Sequence, residues 1–144
     1  LGVNSGLFTN KELGKSLVQK FGSQSIILSI EAKKISKNSW EAYKNFGRDK
    51  TGMDVSEWLS EMSDCNFGEI LLTSIDADGI SLIKSVSNVV DIPVIACGGF
   101  GKLSHIEDLK KYSEIDAIAI SKALHYEKVT IKEIKNFIKK IDDK

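Results

Sequence analysis

The sequence has few of the residues that hold disulfide-stabilised or metal-stabilised domains together. Its 144 residues include two cysteines, two histidines and a single proline. The cysteines, Cys65 and Cys97, form no CxxC pair, and no histidine stands beside them at the spacing of a zinc site. The sequence therefore predicts neither a disulfide scaffold nor a metal site, and a reducing cytoplasm is the expected setting.

An excess of charge of one sign and long apolar runs are also lacking. Twenty basic residues balance twenty acidic ones, which argues against a nucleic-acid tract or a membrane-surface patch. No apolar run approaches the roughly 18 residues that a membrane span needs, and no signal peptide is visible. We therefore expect no nucleic-acid or membrane partner, and no motif indicates a cofactor. The chain opens on Leu1 in what resembles the end of a strand, so we expect the native start to lie upstream.

Apolar runs of strand length alternate with amphipathic segments of helix length. The predicted strands lie near 1–4, 25–31, 69–75, 92–97 and 116–121 of one domain spanning 1–144. Residues 35–53 are polar and predict a long loop or a short hairpin. Asp54, followed three residues later by Glu57, is typical of a helix start. Apolar strands followed by helices indicate an α/β fold with a parallel sheet covered by helices, and pattern alone allows either a barrel or an open sheet.

Each predicted strand ends in small or polar residues: "VNSG", "SIEAK", "TSIDADG", "ACGGFGK" and "AISKAL". In parallel α/β folds, ligands bind at the carboxyl ends of the strands. We therefore expect these five ends to form one ligand-binding rim.

Two of these strand ends predict a phosphate site. Glycines such as Gly98 and Gly99 let main-chain N–H groups approach an anion, although a tight turn explains them equally well. Ser121 and Lys122 begin a short helix after the next strand, and barrels commonly bind phosphate at their last two strands. No Walker A sequence is present, so hydrolysis of a nucleoside triphosphate is not indicated.

The aspartates of "SIDADG" allow two interpretations. Asp76 and Asp78 precede Gly79 and suit an Asx-type turn, in which aspartates bind backbone groups. The alternative places one of their carboxylates over a bound substrate. His105 and His125 are predicted to be surface residues.

Four segments carry a family resemblance: "FGSQSIILSIEAKK", "GEILLTSIDADG", "IPVIACGGFGK" and "DAIAISKALHY". In this order they closely resemble the HisF family, the cyclase subunits of imidazole glycerol phosphate synthase. The resemblance runs over essentially the whole chain. It implies a (β/α)8 TIM barrel of which this chain is the C-terminal half, from the end of strand four through strand eight.

The resemblance also implies an activity. The family is a lyase of histidine biosynthesis that uses ammonia from a glutaminase partner. It converts a phosphoribulosyl-formimino-aminoimidazole-carboxamide ribonucleotide, which carries a phosphate at each end, to imidazole glycerol phosphate and an aminoimidazole carboxamide ribonucleotide. Two acids, one from the first strand and one from the fifth, act as general acid and base.

The implied site residues follow position by position. Glu31 takes the place of the fifth-strand catalytic acid, and Glu69 that of a charged residue at the ammonia entrance. The substrate- and phosphate-binding positions fall on Asn4, Ser5, Thr73, Asp78, Gly79, Gly98, Gly99, Ser121 and Lys122.

Departures from the family pattern keep other functions open. The first-strand acid is not in this chain, and the fifth-strand aspartate is Glu31, whose extra methylene moves the carboxylate by about 1 Å. The loop after Gly79 is short, and Cys97 replaces a serine, as in HisF-like paralogues. The alternatives are an ammonia-channelling subunit for sugar amidation in surface-polysaccharide (O-antigen) biosynthesis, and a phosphate-binding half-barrel without activity.

Overall fold

The chain folds around one twisted sheet flanked by helices. In a computed structural model, residues 1–76, 79–112 and 115–143 are described. Their strands are β1 (Gly2–Val3), β2 (Ile27–Ser36), β3 (Ser39–Lys44), β4 (Asp49–Asp54), β5 (Glu69–Ser74), β6 (Val94–Cys97) and β7 (Ala117–Ala119). The helices are α1 (Ser5–Thr9), α2 (Glu12–Phe21), α3 (Val55–Met62), α4 (Gly79–Ser87), α5 (Ser104–Tyr112), α6 (Lys122–His125) and α7 (Ile131–Asp142).

The strand order confirms the predicted fold class. Strands β1, β2, β5, β6 and β7 lie side by side and are all parallel. At least one helix separates each of these strands from the next along the chain, as parallel pairing requires. The sheet is not closed, and its succession of β/α units is that of a fragment of a (β/α)8 barrel.

Between residues 35 and 53 the structure has a hairpin, so of the two predictions for this segment the hairpin is confirmed and the long loop is wrong. Strand β2 does not stop near 31 but continues to Ser36, because the antiparallel strand β3 pairs with its second half. Strand β4 then pairs with β3 and completes the hairpin. The polar composition arises because β4 and the two turns face solvent, while Trp40 and Tyr43 on β3 are buried.

Asp54 joins the base of the hairpin to α3. Its Oδ1 accepts a hydrogen bond from the main-chain N–H of Ser56 at 2.9 Å, so it is the helix N-cap, as predicted. Its Oδ2 accepts from the hydroxyl of Ser39 at 2.6 Å. Burial raises the pKa of the Asp54 carboxyl, but the hydrogen bonds from Ser39 and Ser56 outweigh burial and leave its pKa below the ordinary value.

The two faces of the sheet differ. One face carries Leu28, Ile30, Leu72 and Ala96, all buried against the helices. The opposite face alternates with it and is half-buried, and at the carboxyl ends of the strands it carries Glu31, Thr73 and Cys97. This second face positions the candidate site.

Across the described residues, no helix is both long and apolar enough to cross a bilayer.

Candidate functional site

Four residues on the half-buried face form a row at the carboxyl ends of the parallel strands. The strand register places Glu31 beside Thr73, Thr73 beside Cys97, and Cys97 beside Ala119. Neighbouring strands lie about 4.8 Å apart, so the row spans roughly 14 Å. We call these four residues the rim row. The strand ends predicted to meet do lie at one edge of the sheet.

Glu31 is held at one end of the rim row by two hydrogen bonds to the same carboxylate oxygen. Its Oε2 accepts from Nδ2 of Asn4 at 3.0 Å and from the main-chain N–H of Gly47, in the hairpin turn, at 2.9 Å. Its Oε1 accepts no hydrogen bond from any residue that the structure describes. The carboxylate is therefore fixed in orientation while one oxygen stays available to a ligand. This is not the environment of a free residue at a strand edge.

Asn4 and Ser5, predicted to bind phosphate, are engaged within the protein. The Asn4 amide contacts Glu31 and also lies 3.3 Å from the carbonyl oxygen of Tyr43, to which it donates. Its Oδ1 is buried and has no partner among the described residues. Ser5 Oγ accepts from the main-chain N–H of Asn45 at 2.8 Å. The observed contacts make Asn4 a support for Glu31, and the phosphate role of both residues stays a prediction.

The glycine turn after β6 has the geometry that only glycine allows. Gly98 and Gly99 have φ values of 85° and 73°, and a Cβ on Gly98 would lie 2.3 Å from the main-chain oxygen of Ser74. Within the described part of the chain, the N–H groups of Gly98 and Gly99 donate none of the main-chain hydrogen bonds found in turns and loops. Gly79 lies next to this turn, since a Cβ there would be 3.7 Å from the oxygen of Gly98. Asp78, its predicted neighbour in the site, lies outside the described residues.

An open cleft of about 660 Å³ lies over the glycine turn and the ends of β5, β6 and β7. Its polar lining comes from the following residues: Ser74, Asp76, Cys97, Gly98, Gly99, Ser121, Lys122, His125 and Tyr126. Lys122 brings a positive charge to a wall that already carries unpaired N–H groups. The arrangement suits an anionic group such as a phosphate.

The two histidines are closer to the site than the sequence suggested. His125 is exposed, as predicted, but it lines the cleft and meets Tyr126 edge to face at 5.1 Å between ring centroids. His105 is only partly exposed, and its Nδ1 lies 3.1 Å from the oxygen of Gly99 and 3.3 Å from the nitrogen of Gly101. The sequence did contain a signal for the contact between His105 and the glycine turn. His105 is four residues after Gly101, in the first turn of α5, which lies next to the loop.

Asp76 makes structural contacts, but with β2 and Ser74 instead of the Asx-type turn that its sequence suggested. Its Oδ2 accepts from the main-chain N–H of Lys34 at 2.7 Å, and its Oδ1 accepts from Ser74 Oγ at 3.0 Å. These bonds join the loop after β5 to the extended part of β2. Asp76 thereby ties the end of β5 to β2.

Glu69 lies at the opposite end of β5, level with Ile27. It is four residues before Thr73, so both side chains are on the half-buried face, about 13 Å apart along the strand. Its role at an ammonia entrance stays a prediction.

Among the described residues, no group of three or more histidine, cysteine, aspartate and glutamate side chains is placed to hold a metal ion.

Comparison with known proteins agrees with this geometry. A family model described as histidine biosynthesis protein matches residues 1–130. The imidazole glycerol phosphate synthase subunit HisF of Clostridium botulinum (strain 657 / Type Ba4) is 40% identical over 97% of this chain and 58% of its own length. The HisF subunit of Prochlorococcus marinus (strain AS9601) is 41% identical over 96% of this chain and 57% of its own length. The chain thus spans just under three-fifths of these relatives, and it belongs to the histidine biosynthesis protein family.

Proposed function

We propose that the protein acts as the cyclase subunit of an imidazole glycerol phosphate synthase. The observation that carries the proposal is the pairing, on one rim, of a fixed carboxylate with unpaired main-chain donors. Glu31 keeps Oε1 available at one end of the rim row, and the N–H groups of Gly98 and Gly99 lie at the other side. HisF relatives of about 40% identity are named as subunits of imidazole glycerol phosphate synthase.

The proposed substrate is a ribonucleotide with a phosphate at each end. Gly98, Gly99, Ser121 and Lys122 would bind one phosphate in the cleft, with Gly79 and Asp78 beside it. Main-chain N–H groups and a lysine fit a phosphate because they donate hydrogen bonds and supply positive charge where it is negative. Asn4 and Ser5 would contribute to binding the other phosphate, beside the hairpin.

Glu31 would move a proton during ring closure. Ammonia attacks the substrate, and the new nitrogen must lose protons while a leaving group gains one. A carboxylate whose second oxygen is fixed by Asn4 and Gly47 presents Oε1 at a constant position for that transfer. In the resembled family, the other acid comes from the first strand, outside residues 1–144. Thr73, next to Glu31 in the rim row, would contact the substrate.

The proposed partner is a glutaminase that supplies ammonia. Glu69 would lie at the entrance, at the amino end of β5, and the half-buried face would lead from there to the rim row. We place the protein in the cytoplasm, where the two cysteines would stay reduced, and Cys65 and Cys97 are both free thiols.

Turnover with ammonium salts in place of the glutaminase tests the cyclase function. We expect the full-length protein to form imidazole glycerol phosphate, and Glu31→Gln to lower kcat by roughly 10²- to 10⁴-fold with little change in KM. Glu31→Asp should keep at least part of the activity. Glu107→Gln, on the exposed side of α5, is the matched control and should match wild type. A Glu31→Gln enzyme that is fully active would contradict the assigned role.

A second function is favoured by one observation at the same rim. Helix α4 begins at Gly79, five residues after β5 ends at Ser74, which leaves little loop to cover a substrate. A short loop suits an ammonia-channelling subunit for sugar amidation in surface-polysaccharide biosynthesis. Absence of ammonium-dependent cyclisation by wild type and by Glu31→Asp, together with ammonia transfer to a sugar-amidating partner, would favour it. Binding of inorganic phosphate without either activity would indicate a phosphate-binding half-barrel.

A further inference from the structure

The tip of the β3–β4 hairpin has an unusual backbone conformation. Asn45, Phe46 and Gly47 are consecutive and have φ values of 54°, 61° and 73°. Glycine adopts this left-handed region freely and asparagine tolerates it, but for a bulky residue such as phenylalanine it is an outlier. The least suitable of the three residue types therefore stands at the centre of the tip.

No packing in the described structure compensates for this conformation. Phe46 is 89% exposed, more than any other large hydrophobic residue in the described part of the chain. In the core, burial of a phenylalanine ring would offset the free-energy cost of the strained backbone. The ring of Phe46 is exposed, so burial does not offset the strain here. Residues whose backbone strain is not offset by packing are found most often at ligand-binding sites.

The tip is attached to the candidate site on both sides of Phe46. The N–H of Asn45 donates to Ser5 Oγ, and the N–H of Gly47 donates to Oε2 of Glu31. Gly47 also packs against Ile75 at the end of β5, since a Cβ on it would lie 3.0 Å from Ile75 Cδ1. The peptide joining Phe46 to Gly47 carries the N–H that binds Glu31. The ring is thus one peptide unit and one hydrogen bond away from the carboxylate.

The charge of the tip indicates what kind of ligand it meets. Residues 44–50, "KNFGRDK", contain Lys44, Arg48 and Lys50 and one acid, Asp49, whose Oδ2 accepts a hydrogen bond from Asn45 Nδ2, so the tip has an excess of positive charge. An exposed aromatic ring between two cations suits a ligand that combines a planar ring with negative charge. The ring offers a stacking face and the cations attract the anionic part.

We propose that Phe46 is the platform on which the planar heterocycle of the bound ribonucleotide stacks, next to Glu31. The inference rests on the proposed function and adds a ligand-contacting residue to it. Glu31 then has two tasks: Oε1 faces the ligand, and Oε2 fixes the hairpin tip that carries the ring. The strain at Phe46 is the cost of presenting the ring outward from the tip.

Calorimetric titration of the full-length protein with two ligands tests the proposal. The aminoimidazole carboxamide ribonucleotide carries a phosphate, a ribose and a planar ring, whereas ribose 5-phosphate lacks the ring. We expect Phe46→Ala to weaken binding of the ribonucleotide by roughly tenfold, the order of one stacking contact, and to leave ribose 5-phosphate within about twofold. Phe46→Tyr should restore the ribonucleotide affinity. Phe21→Ala, an exposed phenylalanine at the end of α2, is the control and should change neither affinity.

Thermal unfolding of Phe46→Gly separates a ligand-contacting role from a structural one. Glycine removes the left-handed strain, so we expect Tm to rise while the ribonucleotide affinity falls. A residue that only stabilises the hairpin would lower both. The proposal is overturned if Phe46→Ala binds the ribonucleotide as tightly as wild type, if it loses both ligands equally, or if wild type binds the two ligands with equal affinity.

Failure of the proposed function would give a different pattern. A wild-type protein that binds both ligands and forms no product refutes the cyclase function, while the Phe46→Ala titration still decides the stacking role. A wild-type protein that binds neither ligand refutes both.

Discussion

The rim has a hairpin side, around Glu31, and a glycine-turn side, around Gly98 and Gly99, and the two sides differ in how their polar groups are hydrogen-bonded. On the hairpin side, Glu31 Oε2, Ser5 Oγ and the N–H groups of Asn45 and Gly47 are bonded to one another. On the glycine-turn side, the N–H groups of Gly98 and Gly99 donate no main-chain hydrogen bond among the turns and loops of the described residues, and the two glycines line an open cleft. The hairpin side is thus largely bonded within the protein, with Asn4 Oδ1 and Glu31 Oε1 left without a partner among the described residues, whereas the glycine-turn side leaves its main-chain donors unpaired.

This difference corresponds to the two kinds of chemistry that the proposed reaction needs. A group that moves a proton must keep one orientation, and internal hydrogen bonds fix it. A site for a phosphate must instead leave its donors unpaired, because each donor that the protein satisfies is unavailable to the anion. A main-chain turn in the left-handed region meets this need, since it directs N–H groups outward without any flexible side chain.

The largest effect is expected at the glycine turn, where Gly98→Ala tests whether the turn is fixed. A Cβ at this position would meet the main-chain oxygen of Ser74 at 2.3 Å in a backbone region that alanine avoids. We expect a loss of about 3 kcal/mol or more in the free energy of unfolding, measured by urea denaturation. Gly101→Ala is the matched control, because a Cβ there meets nothing within 4 Å. Equal losses in the two variants would show that the turn adjusts.

A smaller effect is expected at the base of the hairpin, where Asp54→Ala removes the cap of α3 and the tie to Ser39. We expect a loss of about 1–2 kcal/mol in unfolding free energy at neutral pH. Because the pKa of Asp54 is lowered in the folded state, its contribution is present above the unfolded value and disappears as pH falls through the lower folded value. The difference between variant and wild type should therefore narrow below about pH 4.

Urea titrations at neutral and acid pH measure this difference. Asp108→Ala, an exposed acid on α5, controls for loss of charge and should change the unfolding free energy by less than about 0.5 kcal/mol. If Asp54→Ala were as stable as that control, neither the cap of α3 nor the bond to Ser39 would contribute to stability.

The sequence predicted the rim better than the hairpin. Apolar periodicity located the parallel strands, and the residues after them were expected at one edge because parallel strands point the same way. Gly98 and Gly99 were recognisable as a turn after a buried strand, although the pair alone did not distinguish an anion site from a tight turn. The length of β2 was not predictable, because the pairing of its second half depends on a partner strand whose residues are largely polar.

The contacts around Glu31 were also beyond sequence reasoning. Its position followed from the strand end and from the family resemblance, but the bonds to Asn4 and Gly47 join segments far apart in the chain. The left-handed conformation of Phe46 was not predictable for the same reason, because it depends on contacts that its two neighbours make with distant segments of the chain. Local propensity would have placed a glycine there. Such conflicts between local preference and fold are expected at functional positions.

The smallest effect is expected from Lys122→Gln, which tests whether the cleft on the glycine-turn side binds anions. Loss of one exposed charge near a phosphate should cost about 1 kcal/mol of binding, or roughly fivefold in Kd for inorganic phosphate, with the unfolding free energy unchanged. Lys128→Gln, an exposed lysine outside the cleft lining, is the control. Glu31→Gln should leave phosphate affinity within about twofold, because it lies across the rim and salt screens exposed charges beyond about 10 Å. If Glu31→Gln altered phosphate binding more than Lys122→Gln did, the two sides of the rim would not be separate sites.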